Sequence, residues 1–284
     1  MTGEGRPRAS GRALVLAGGG VAGIAWQIGV LLALEQAGVR LADADLIIGT
    51  SAGATVGAQI ATGVPLAELA AMQRNGSGGE LYVKYNIAEQ RAALAKLVAE
   101  AQDDQDARRR ISRWALETPT VSEAERRAVI ASRLPVHDWP KRALKITAVE
   151  AESGDWVAFD RDSGVALVDA VAASCAVPGV WPPTTIHGKR YVDGGVRSSS
   201  NADLASDYEK IVVLVPRQLQ AREKRIFDEE METLRQRGYI VRSDDAARAA
   251  FGTNPLDPAV RVPALEAGLR QGKELTAALA KYWS

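Results

Sequence analysis

The chain has 284 residues, of which 46% are apolar and 25% charged, and its 35 Lys and Arg are balanced by 35 Asp and Glu. That length and composition fit an α/β protein with a sizeable core, and the zero net charge argues against a nucleic-acid partner. The lone cysteine, Cys175, excludes an internal disulfide framework and fits a reducing, cytoplasmic setting.

In chain order, Met1 to Arg12 is small, polar and basic with no apolar segment behind its charges. It reads as a disordered tail over residues 1–12 rather than a signal peptide or a membrane span. One domain is expected over residues 13–284. The apolar run Ala13 to Ala17 predicts a strand, Gly18-Gly19-Gly20 a turn, and Val21 to Gln36 a helix closed by Gly38. Leu46 to Ile48 predict a second strand and Ala52 to Ala61 a second helix, closed by Gly63 and Pro65. This repeated strand, glycine turn and helix is the pattern of a mostly parallel sheet flanked by helices.

Residues 75–82 read as a loop, Asn86 to Ala101 as a helix, and Asp103 to Arg113 as a dense charge cluster. Ser122 with Glu125 forms a capping box for a helix through Ser132. Strands are expected at Leu144 to Glu150 and Trp156 to Phe159, and a helix at Leu167 to Ser174. Ile186 and Tyr191 flank a hairpin tip, and Ile211 to Val215 is a buried strand. The remainder reads as mostly helical and charged.

Gly49-Thr50-Ser51-Ala52-Gly53 sits where the second strand meets the second helix. Such a G-x-S-x-G turn, too sharp for bulky neighbours, presents a nucleophilic serine. A serine nucleophile needs a base, and the chain has two histidines, His137 and His187, both in expected loops. Asp193, at the end of a short strand before Gly194 and Gly195, is the other candidate. An aspartate at its usual pKa is a weak base for an alcohol, so burial must raise that pKa or the oxyanion site must carry much of the catalysis. Gly18 to Gly20 open a helix directly after a strand, which gives main-chain N–H groups able to hold an oxyanion.

The glycines also spell the dinucleotide-type pattern Gly18-x-Gly20-x-x-Gly23, with Asp43 and Asp45 downstream. Both aspartates precede the second strand, however, where a ribose-binding acid would end it. Three readings remain open on the residues: a Ser–Asp hydrolase, an α/β-hydrolase-like esterase with a His base, and a non-catalytic nucleotide- or lipid-binding module. Arg108-Arg109-Arg110 beside Ile111, Trp114 and Leu116 reads as a solvated helix face or as a patch for anionic membrane. No spacing suggests a metal site, and no cofactor is expected.

Four blocks together resemble the patatin-like phospholipases: Gly18 to Gly23, Gly49 to Gly53, Ser174-Cys175-Ala176-Val177-Pro178, and Asp193-Gly194-Gly195. They occur in the family's order, and the resemblance spans about residues 13–215. It implies a lipid acyl hydrolase without a catalytic histidine, in which Ser51 is the nucleophile, Asp193 its base, and Gly18, Gly19 and Gly20 the oxyanion loop. Gly49, Gly53, Gly194 and Gly195 support that site. Ala22 stands where the family usually carries Arg or Lys, so a fixed cation beside the site is missing from this block. The resemblance implies neither the lipid nor the oligomeric state.

Overall fold

A computed structural model describes residues 9–76, 80–82, 86–234 and 237–284. Strand β1 (Ala9–Leu16) lies between β2 (Leu46–Gly49) and β7 (Tyr208–Val215), parallel to both. On the far side β2 pairs in parallel with β3 (Ala143–Glu150), and β7 pairs in parallel with β8 (Gly238–Arg242). The other edge is antiparallel: β3 pairs with β4 (Trp156–Phe159) and, further along, with β6 (Lys189–Asp193). β5 (Thr184–Ile186) closes a hairpin onto β6. Its two-residue turn, His187-Gly188, has positive φ at both positions (49° and 76°), the geometry that matches hairpin twist. The result is an α/β fold with a mostly parallel central sheet flanked by helices.

Central strands covered on both faces must be apolar throughout. Ala13 to Leu16 of β1 and Ile211 to Val215 of β7 accordingly have no exposed surface. Helix α1 (Gly20–Gln36) is buried from Val21 to Leu34, so it is enclosed on every side rather than amphipathic. Its outer cover is α10 (Arg261–Trp283). A Cβ at Gly268 would strike the Trp26 main chain, so only glycine permits this close crossing. Trp26 Nε1 donates to Gln271 Oε1 at 3.0 Å across the same interface. The last helix of the chain thereby holds the helix whose N-terminus carries the glycine loop.

Helices α2 (Ala52–Ala61), α4 (Ile87–Ala99), α6 (Glu123–Arg133) and α7 (Leu167–Ser174) lie where the sequence predicts them. The Ser122–Glu125 capping box closes as expected. Other elements differ. β1 begins at Ala9, so the expected tail is too long: the Arg12 N–H donates to Asp45 Oδ2 at 2.8 Å. Residues 1–8 lie outside the described residues, as do 77–79 of the expected loop. The charge cluster lies in a helix, α5 (Asp104–Glu117), as the helix-face reading of Arg108 to Leu116 expects; Asp103 caps it, and Ala107, Ile111 and Ala115 anchor it inward. Three of its arginines are engaged within the protein. Arg108 donates to Gly154 O at 2.6 Å, and Arg109 and Arg110 pair with Asp106 at 3.1 and 2.8 Å. Helices α3 (Leu66–Asn75), α8 (Ala221–Thr233) and α9 (Asp245–Ala250) complete the set, and among the described residues no helix is long and apolar enough to cross a membrane.

Forcing a branched side chain into the α1–α10 crossing overpacks it. Gly268→Val should lower stability by about 3 kcal/mol and the melting temperature by about 6–12 °C, measured by thermal denaturation.

Candidate active site

The chain turns from β2 into α2 through Thr50 and Ser51 alone. Ser51 takes φ 55° and ψ −115°, a backbone state rare for a residue with a Cβ and costing roughly 1–3 kcal/mol. Its surroundings over-determine it. The Ser51 N–H donates to Ser174 Oγ at 2.9 Å, and the Cys175 thiol donates to the Ser51 carbonyl at 3.2 Å. The Thr50 N–H donates to Leu16 O at 3.0 Å, and the Gly53 N–H to Thr50 O at 2.9 Å. A Cβ at Gly53 would overlap the Leu16 carbonyl, which explains the glycine after the serine. Gly49, the last residue of β2, packs with similar closeness against Gly53 and Ala54.

Asp193 ends β6, opposite Ala148 of β3, and its N–H donates to Ala176 O at 3.0 Å. Its Oδ1 accepts the Gly195 N–H at 2.7 Å across the 3-10 turn Gly194–Val196. Oδ2 is buried and has no hydrogen-bond partner among the described residues. Burial raises the Asp193 pKa from 3.8 to about 6, while the Ser51 hydroxyl and the Gly195 N–H favour the ionised form. Ser51 thus faces this carboxyl without closing a well-aligned hydrogen bond to Oδ2, a looseness common before substrate binds.

The three glycines of the loop have different fates. The Gly18 N–H donates to Ser199 O at 2.9 Å, so it is not free to meet an oxyanion. Gly18 instead packs against Ser51: a Cβ there would lie 3.3 Å from Ser51 Cβ. The N–H groups of Gly19, Gly20 and Val21 have no hydrogen-bond partner among the described residues, nor has that of Ala52. These are the open donors at the N-termini of α1 and α2. Both termini face one cleft, lined also by Arg126, Trp181 and Leu256 around Ser51. Its cavity volume is about 20 Å³, room for about one water.

A buried network behind the elbow was not expected from the sequence. Thr50 Oγ1 and Thr147 Oγ1 lie 2.9 Å apart, and Asn201 Nδ2 donates to both, at 3.0 and 3.1 Å. Asn201 sits at φ 52°, a conformation its short amide tolerates, and Arg197 donates to its Oδ1 at 2.7 Å. This ties β2 and β3 to the segment whose Ser199 carbonyl holds Gly18. Ser200 Oγ anchors the same segment on Glu230 at 2.5 Å, a carboxyl that burial pushes up to about 7.

Arg126 on α6 was also missed. It is 5% exposed, its guanidinium carbon stands 3.8 Å from the centre of the Trp181 ring, and it lines the cleft at Ser51. Burial lowers its pKa to about 9, helped by the nearby Arg133, and it stays cationic at neutral pH.

Neither histidine reaches this cleft. Both are exposed, His137 against Ala131 O at 3.0 Å and His187 against Gly164 O at 3.2 Å. Asp45 accepts from Arg12 near the start of β1, at the end of the strand opposite the glycine loop. A strand length separates it from any phosphate held by those glycines, which removes the dinucleotide arrangement. Cys175 is buried and its pKa is raised by that burial, as suits a thiol that serves as a hydrogen-bond donor. Among the described residues no group of His, Cys, Asp and Glu has the makings of a metal site.

The family model for patatin-like phospholipases matches residues 14–206, which include the elbow, the glycine loop and Asp193. The chain belongs to the patatin-like phospholipase family, and this membership supports a lipid hydrolase activity. Among solved structures, VipD from Legionella pneumophila is similar, with 12% identity and a TM-score of 0.50 over 98% of this chain and 67% of its own. ExoU, solved with SpcU from the type III secretion system of Pseudomonas aeruginosa, has 17% identity and a TM-score of 0.41 over 98% of this chain and 53% of its own. No curated protein sequence matches. At these identities the likeness to VipD concerns the fold alone.

Asp193 gives a stability test. The folded chain keeps a proton that the unfolded chain releases between pH 3.8 and about 6. Stability from this group is full below the lower value and is lost as pH rises through the upper one. Asp193→Asn should therefore be more stable than wild type by about 3 kcal/mol at pH 8 and gain little at pH 4, in denaturant titrations at both pH values.

Proposed function

We propose that this chain hydrolyses carboxylic ester bonds of acyl lipids through a Ser51–Asp193 dyad. The observation that carries the reading is a serine held at φ 55° at a helix N-terminus, facing a buried carboxyl whose pKa stands near 6. A carboxyl of that pKa is ionised at neutral pH and is a stronger base than an exposed aspartate.

In the first step Ser51 Oγ attacks the ester carbonyl carbon while its proton passes to Asp193. The carbonyl oxygen becomes an oxyanion, met by the N–H groups of Gly19 and Gly20, with that of Ala52 next in line. One such donor contributes roughly 3–4 kcal/mol to the transition state. The tetrahedral intermediate collapses, the C–O bond to the alcohol breaks, and Asp193 returns the proton to the leaving oxygen. Water then attacks the acyl-enzyme with Asp193 again as base, releasing the fatty acid and restoring the serine. Gly18 keeps the loop against Ser51, and Gly194 and Gly195 fix the carboxyl.

An acyl chain does not fit a cavity of about 20 Å³, so the chain must extend beyond the cleft at Ser51 or displace part of its lining. The lipid would be met at a membrane surface.

Hydrolysis of short-chain phospholipid and glycerolipid esters by the purified protein tests the dyad. Ser51→Ala should abolish turnover, and Asp193→Asn should reduce it at least about a hundredfold while remaining folded. The double variant His137→Ala/His187→Ala should keep most of it. A folded but inactive double histidine variant beside an active Asp193→Asn would reverse the assignment.

A further inference from the structure

Helix α6 turns four positions inward, Arg126, Val129, Ile130 and Arg133, so two of its four buried side chains are cations. Arg133 is satisfied. It holds both oxygens of Glu80, at 2.8 and 2.7 Å, and Arg261 joins the same carboxylate at 3.0 Å. With two arginines on it, Glu80 leaves Arg126 without a counter-ion in contact among the described residues. The Nε and Nη1 atoms of Arg126 are buried with no hydrogen-bond partner among the described residues. The Trp181 face supports the guanidinium, at 3.8 Å.

A buried cation with unmet donors is costly unless something anionic completes it. Among the described residues around it, Arg133 and Arg261 balance Glu80 and Asp193, so Arg126 is the cation left over. The cleft that Arg126 lines is the one that exposes Ser51. We propose that Arg126 is the substrate anion site, binding the phosphodiester of a glycerophospholipid whose ester carbonyl lies at Ser51. The fork of N–H donors matches two phosphate oxygens, and in such a lipid only a few bonds separate the phosphorus from the ester-bearing glycerol carbons. Stacking on Trp181 fixes the plane of the fork before the ligand arrives. The proposal rests on the ester hydrolase reading and makes it specific: phospholipids are preferred over neutral glycerides.

The test compares dihexanoylphosphatidylcholine with dihexanoylglycerol, both below their aggregation limits. In wild type the ratio of their kcat/KM values favours the phospholipid, and Arg126→Met should reduce that ratio by about 10- to 100-fold, the scale of a charge-assisted hydrogen-bond pair. Methionine keeps the apolar stem in place, and Arg126→Lys, which keeps the charge without the fork, should recover part of the ratio. Calorimetric binding to Ser51→Ala needs no turnover. There the phospholipid should bind at least about tenfold tighter than the diacylglycerol, and the added Arg126→Met change should remove the difference. Inorganic phosphate and hexanoate should bind far more weakly than the phospholipid. Equal binding of either one would make the site a receptor for free anions and overturn the headgroup assignment. An unchanged ratio, or equal loss on both substrates with a lowered melting temperature, would make Arg126 structural. If wild type cleaves neither ester but the binding preference holds, the hydrolase reading fails and the anion site stands.

Discussion

The main chain of Ser51 is the point on which the rest of the molecule depends. A side chain at positive φ persists only where neighbours hold it, and here the neighbours come from distant parts of the chain. Leu16 of β1 takes the Thr50 N–H, Ser174 and Cys175 at the end of α7 take both sides of the serine's peptide frame, and Gly53 lets α2 begin against β1. Gly18 fits against the serine because the Ser199 carbonyl holds its N–H, and the 198–201 segment is held by Asn201, Thr50 and Thr147. The parallel core thus serves chiefly to bring two strand-to-helix turns side by side with their unpaired N–H groups directed at one cleft.

The antiparallel edge supplies Asp193. Where β3 leaves β2 it takes up β6, and that change of partner sets Asp193 at the elbow rather than at a remote sheet edge. Enclosure then does the chemical tuning. A carboxyl exposed to water would be a poor base, and one enclosed with no opposing hydrogen bonds would stay protonated. Gly195 and Ser51 offset part of the burial, and the balance comes to rest near 6. The C-terminal helices contribute indirectly: α10 clamps α1, while the Pro255 carbonyl receives the Ala22 N–H beside the glycine loop.

The parallel framework was legible because its strands are uninterrupted apolar runs ending in glycine, and the elbow because its glycines and serine fall at such an ending. Burial of Asp193 was one of two expectations that the weakness of an ordinary aspartate as a base left open, the other being an oxyanion site that carries much of the catalysis. The bounds of helix α5 were obscured because half of its residues are charged and its apolar inward positions are few, Ala107, Ile111 and Ala115. Strand β8, five residues long at the sheet edge, carries too short a pattern to stand out among helices. The partner of the Gly18 N–H could not be read, since Ser199 lies far along the chain. Arg126 did leave a trace: Arg126 and Arg133 flank Val129 and Ile130 at helical spacing, so cations stand on the apolar face. Position 22 itself offers no cation, being a fully buried alanine.

The account turns on Asp193 activating Ser51 without help from a histidine. The direct measurement is the rate at which a fluorophosphonate phosphonylates Ser51, with loss of fluoride, as a function of pH, read by mass under pseudo-first-order conditions. The rate should rise with pH through an apparent pKa near 6, where burial sets Asp193, and level off above it. The same limb should persist in the double histidine variant and disappear in Asp193→Asn, which should react slowly. A limb near pH 6 that survives Asp193→Asn, or that vanishes with the histidines, would contradict the account.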